Sequence, residues 1–149
     1  MSIKIRVLLG LSGMFGRLLQ RFLGLVFIIS GGAKMWDVYG FSKIVRDYHV
    51  LPQAFVILFS SLVAFAEFVL GLMLVLNYLP KISSLTLLLM VSVFTLFTLL
   101  RYISGDTSEC GCFGTLIHRG VDWKFFAENV MLIGGLVVTI IKTTNNQED

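Results

Sequence analysis

Four long apolar runs divide the chain, and short polar stretches separate them. A helix needs about 20 apolar residues to cross the hydrocarbon core of a bilayer. The run at 82–100 (ISSLTLLLMVSVFTLFTLL) carries no charge, and the run at 53–76 is interrupted only by Glu67. A third run, 123–141, is charged only near its start, at Lys124 and Glu128. The first, about 15–33, has Arg17 and Arg21 in its early turns. Long basic side chains in such places snorkel to the interface. These runs predict four membrane-crossing helices.

The connections carry patterns of their own. Between the first two spans lies 34–52 (KMWDVYGFSKIVRDYHVLP). There Phe41, Ile44, Val45 and Tyr48 fall at helical spacing, while Lys43, Arg46 and Asp47 point elsewhere. This predicts a short helix lying in the headgroup layer, with Trp36 and Tyr39 as interface anchors. Pro52 then opens the second span, where its missing N–H costs nothing. Residues 77–81 (NYLPK) form a tight turn, 104–122 is the longest polar connection, and 143–149 is a short polar tail. The opening 2–17 (SIKIRVLLGLSGMFGR) has a basic start and a short apolar run but no A-x-A-like site after it. An uncleaved turn or interfacial helix is expected there rather than a signal peptide. With no repeat and no low-complexity tract, 1–149 reads as one domain. The predicted class is all-α: an integral membrane four-helix bundle with one interfacial helix.

Composition agrees with this. The chain is 56% hydrophobic with a mean hydropathy of +0.88, and only 14% of it is Asp, Glu, Lys or Arg. Soluble domains carry about 25% charged residues, so there is too little charge here to cover a water-facing surface. The net charge of +3 is spread along the chain and leaves no nucleic-acid footprint. Orientation is nearly balanced. The side holding the termini would carry Lys4, Arg6, Arg17, Arg21, Lys81 and Lys142. The other would carry Lys34, Lys43, Arg46, Arg101, Arg119 and Lys124. The first helix has four basic residues on its N-terminal flank against three in the following loop, which favours cytoplasmic termini in the plasma (inner) membrane.

The chemistry is concentrated at Ser108-Glu-Cys110-Gly-Cys112-Phe-Gly114, which holds both cysteines of the chain. Disulfide geometry is exacting, and a bridge across one residue needs a sharp backbone curl that Gly111 permits. Strained or exposed bridges are the exchangeable ones. As a passive staple the pair is poorly placed, since closing so short a ring stabilises by less than about 2 kcal/mol on the loop-entropy relation. Three readings follow: a redox couple, a passive bridge or free thiols, and a metal site recruiting His118. Two cysteines and one histidine leave a tetrahedral site one ligand short. His118, Arg119 and Arg101 would favour a thiolate, and Asp106 and Glu109 would oppose it.

Glu67 lies more than a turn from either end of its span, and an ionisable residue at such depth marks a functional position by default. Arg21 on an antiparallel first helix is its expected partner. The pair either fixes helix packing or takes part in proton or quinone traffic. Ser30-Gly-Gly-Ala33, Gly71 and Gly134-Gly135 are small residues suited to close helix contact, with a flat quinone ring as the alternative tenant. Asn129, in the first turns of the last span, is expected to bond a neighbouring helix or to support the cysteine loop.

Taken together, these residues resemble a known family. Residues 21–34 (RFLGLVFIISGGAK), with Phe41, Val45, Tyr48, Leu51-Pro52 and Glu67 with Gly71, are similar to the DoxX-like superfamily. The Cys110-Gly-Cys112-Phe-Gly114 loop narrows the resemblance to the branch typified by methylamine utilisation protein E, over about 21–141. The resemblance implies a four-helix membrane protein engaged in thiol redox work outside the cytoplasm. Members of that branch are needed to mature the disulfide-rich small subunit of methylamine dehydrogenase, alongside a thioredoxin-like partner. Some relatives carry a fused thioredoxin-like domain; without one here, the partner would be a separate polypeptide.

The resulting expectation is an extracytoplasmic Cys110/Cys112 pair that exchanges disulfides with a thioredoxin-like protein and passes electrons to a membrane quinone near Glu67 and Arg21. Two rivals stand beside it: a non-catalytic small subunit of a quinone-linked membrane complex, and a metal-binding membrane protein.

Overall fold

In the computed structural model, the residues described are 3–47, 52–103 and 123–145. They form five helices: α1 (Ile3–Trp36), α2 (Val38–Asp47), α3 (Gln53–Val75), α4 (Pro80–Ile103) and α5 (Trp123–Asn145). Four are long and apolar enough to cross a membrane: α1 over Gly16–Trp36, α3 over its whole length, α4 over Pro80–Leu100 and α5 over Phe126–Thr144. The protein is therefore an all-helical membrane bundle. In lipid every backbone polar group must be satisfied within its own segment, and helices do this without partners.

The first helix is longer than the apolar run suggests. It begins at Ile3 and runs without a break into the span, so 3–15 is part of α1 rather than a separate turn or interfacial helix. At the other end it continues to Trp36, which takes Lys34 out of the expected connection and into the span.

The four spans close a ring in which α1 packs on α3 and α5, and α4 packs on the same two. Leu23 and Phe27 of α1 meet Leu74, Leu87 and Leu136 at its centre, one contribution from each of the other three helices. Against lipid, apolar side chains gain little by facing one another, so helix association rests on close packing and polar contacts. The tightest seam is α1 with α3. A Cβ at Gly24 would stand 2.7 Å from the Gly71 carbonyl oxygen, and one at Gly31 only 2.6 Å from the Phe68 nitrogen. A Cβ at Gly71 would in turn meet the Gly24 carbonyl at 2.8 Å. Backbone touches backbone here.

That seam fixes the register. With Gly31 against Ala64 and Phe68, the end of α1 falls near Ser60, about 10 Å inside the start of α3 at 1.5 Å per residue. Helix α2 fills the remaining layer. Asp37 caps it, its Oδ1 accepting the Gly40 N–H at 2.8 Å. Phe41 and Val45 are buried against Val56, with Val63 and Phe94 packed around them. The apolar face expected to dip into the headgroups is thus turned onto α3 and α4. Trp36 and Tyr39, 85% and 72% exposed, keep the outward position expected of anchors.

The α3–α4 turn is tight, with Asn77 and Leu79 at positive φ. Gln20 seals it, its Nε2 donating to the Leu74 carbonyl at 2.8 Å and to Asn77 Oδ1 at 3.1 Å.

The glycines separate seam from lipid face. Gly31→Ala should destabilise the bundle by about 1–3 kcal/mol, the cost of forcing an extra group into a packed contact. Gly134, where an added Cβ meets nothing within 4 Å, should accept alanine with no loss. Unfolding of both variants in detergent micelles checks the contrast.

Candidate functional site

The apolar centre of the bundle gives way to polar groups toward the α2 end. Two helical turns along from the Leu23, Phe27, Leu74, Leu87 and Leu136 cluster, the interior positions are Ser30 and Lys34 on α1, Glu67 on α3, Phe94 on α4 and Asn129 on α5. Ser30, Lys34, Glu67 and Asn129 are all buried. Thr98, one turn beyond Phe94, is buried too, and its Oγ1 donates to the Phe94 carbonyl at 2.9 Å. The heptad step that repeats leucines thus supplies a polar layer.

Its centre is an ion pair. Lys34 Nζ donates to Glu67 Oε2 at 2.5 Å and to Ser30 Oγ at 2.8 Å. The two charged side chains are 5% and 11% exposed. Ser30 and Lys34 stand four residues apart on one face of α1, so the hydroxyl lies under the amine. The Phe41 ring covers the group, its centroid 5.6 Å from Nζ. Phe41 in turn stacks on Phe94, centroids 6.1 Å apart at 28°. A buried charge pair persists only where geometry and added hydrogen bonds offset desolvation, and Ser30 and the Phe41 face supply both.

This corrects the expected pairing. Arg21 is exposed. Its neighbour Gln20 bonds at Leu74 and Asn77, which places Arg21 at the far end of α3, more than a turn from Glu67. Glu67 and Arg21 are not brought together; Lys34 is the partner. The missed residue left a signal, since Lys34 follows Leu23, Phe27 and Ser30 at helical spacing. Its charge made it look like the end of a span.

The α5 side of the layer differs. Asn129 is 6% exposed, and its Nδ2 has no hydrogen-bond partner among the described residues. Ser60 Oγ and Ser84 Oγ share that condition. A serine hydroxyl can rotate onto its own helix's i−4 carbonyl, as the hydroxyls of Ser83 and Thr95 do.

Cys110, Cys112 and His118 lie outside the described residues. What is fixed is where their segment attaches. Helix α4 ends at Ile103 and α5 starts at Trp123, at the α2 end of the bundle. Tyr102 and Phe126 meet edge to face there, centroids 5.6 Å apart.

With the helices and their polar layer in place, the chain can be set against known families. The family model described as methylamine utilisation protein MauE matches residues 12–142. The chain belongs to the MauE family. The match takes in the spans of α1, α3 and α4, nearly all of that of α5, the polar layer and the segment with both cysteines. The DoxX-like superfamily is compatible with it. No curated protein and no solved structure matches the chain. This MauE-family protein is therefore a multi-pass membrane protein of the methylamine utilisation type.

The ion pair can be tested as a unit. Lys34→Met and Glu67→Met should each destabilise the protein by about 3–5 kcal/mol, because each strands a buried charge. The double variant should cost clearly less than the sum. A four-member unfolding cycle in detergent measures the coupling, and additive losses would show that the two side chains do not interact.

Proposed function

We propose that this protein is the membrane-embedded member of an extracytoplasmic thiol–disulfide exchange system, with Cys110 and Cys112 as its working pair. The observation that supports this best is the family match extending through the Cys110-Gly-Cys112 segment, in a chain holding no other cysteine. Two sulfurs one residue apart suit exchange better than stapling, for the short ring restricts the unfolded chain little.

In the proposed reaction the partner is a thioredoxin-like protein with a dithiol. A partner thiolate attacks one sulfur of the Cys110–Cys112 bond, and the other sulfur leaves as a thiolate. The mixed disulfide is then resolved by the partner's second thiol. The partner leaves oxidised, and Cys110 and Cys112 are left as a dithiol. A membrane quinone, when bound, supplies the two-electron, two-proton acceptor that returns this dithiol to the disulfide. Maturation of disulfide-containing proteins is the corresponding biological task.

Sidedness is supported by the buried lysine. A Lys34 held by Glu67 is no longer a loop charge, so the α2 side keeps Lys43, Arg46, Arg101, Arg119 and Lys124, five against six on the side of the termini. This tips the otherwise even count toward cytoplasmic termini in the plasma membrane. The cysteine segment then faces the compartment where disulfides persist.

Alkylation of intact cells with a membrane-impermeant maleimide should label Cys110 and Cys112 only after reduction. In the same cells a partner lacking its second thiol should accumulate a mixed disulfide with this chain, a reducible band on a gel that Cys110→Ser/Cys112→Ser abolishes. Cysteines that are always reduced and label only after lysis would sink the exchange reading.

A further inference from the structure

Arg17 and Arg21 are charges on the outer side of the bundle. Both are exposed, one turn apart on α1, and neither makes an ion pair or hydrogen bond among the described residues. The outward side of the same helix continues with Phe22, Leu25 and Ile29, all exposed and all within a membrane span. Such a face meets lipid chains. Arg21 lies inside the span that opens at Gly16, by about 7 Å at 1.5 Å per residue. The Gln20 bonds to Leu74 and Asn77 set it level with the α3–α4 turn, where Tyr78 and Lys81 are exposed. A guanidinium at that depth extends along its own stem to the lipid headgroups. The acidic side chains are placed elsewhere. Among the described residues they are Asp37, Asp47, Glu67 and Glu128, at the α2 end or in the interior. None of them shares the end that holds Arg17, Arg21, Lys81 and Lys142.

From this arrangement we infer that the α1 face at Arg17 and Arg21 is a binding site for an anionic phospholipid. The two guanidiniums hold its phosphate, and an acyl chain lies along Phe22, Leu25 and Ile29. Three observations select that chemistry. A guanidinium pairs with phosphate oxygens through two parallel N–H bonds, and two of them stand one turn apart. Basic residues without a carboxylate among the described residues at their end favour a lipid of net negative charge over a zwitterionic one. The apolar stripe beside them, running deeper into the span, suits a headgroup that carries chains over a free phosphate ion. The site takes no part in thiol exchange, and its occupancy is independent of how the cysteines behave.

Two lipids with identical chains isolate the headgroup. The full chain in detergent is offered dioleoylphosphatidylglycerol and dioleoylphosphatidylcholine in equal amounts, and native mass spectrometry reads which it retains. The anionic lipid should be retained at least about fivefold over the zwitterionic one, the factor that one basic residue contributes near an anionic surface. Arg17→Gln/Arg21→Gln should bring the ratio close to unity. Arg21→Gln alone, which should lower it severalfold, serves the same purpose should the double variant not fold. Lys43→Gln/Arg46→Gln, at the α2 end, should leave the ratio unchanged. Glycerol phosphate, a headgroup without chains, should not displace the lipid. A wild-type ratio near unity or an undiminished ratio in the arginine variants would overturn the assignment. So would an equal loss in Lys43→Gln/Arg46→Gln, which marks diffuse surface charge, or displacement by glycerol phosphate, which marks a site for phosphate alone.

Discussion

The close approach of α1 and α3 governs the rest of the molecule. Gly24, Gly31 and Gly71 let two backbones touch, and that contact sets the register in which Lys34 reaches Glu67. In lipid no water-driven collapse would draw these helices together, so shape at the seam carries much of the association. The same register leaves α1 short of the level where α3 begins. The chain breaks at Asp37, caps a new helix with that side chain, and packs α2 over the gap. One packing contact thus accounts for the ion pair, the break and the position of α2.

A buried ion pair is weak evidence for stability, because desolvation offsets most of its attraction. Its value lies in what it excludes. An α1–α3 pairing slipped by one turn would separate Lys34 from Glu67 and leave two charges unpaired at membrane depth, a costly alternative. The pair therefore selects one register from several that small residues alone would allow. Gln20 does similar work at the opposite end by closing the α3–α4 turn.

The polar layer is uneven. On the α1 and α3 side its charges and the Ser30 hydroxyl answer one another. On the α5 side an amide donor remains. That asymmetry sits in the half of the bundle from which the cysteine-bearing segment emerges, between Ile103 and Trp123.

Hydrophobic run length determined the four spans, because burying a helix in lipid demands a fixed number of apolar residues whatever its neighbours. The helix after the first span was legible too, in the spacing of Phe41, Ile44 and Val45. Glu67 announced itself as a charge inside an apolar run, and the cysteine motif identified the family branch. Sequence could not name the partner of Glu67, nor say that α2 faces protein instead of lipid. Both depend on how far α1 slides along α3, and helical periodicity gives a residue's direction but not its depth against another helix. That offset was decided by where the glycines of two helices meet, a contact between segments distant in the chain that only the folded bundle contains.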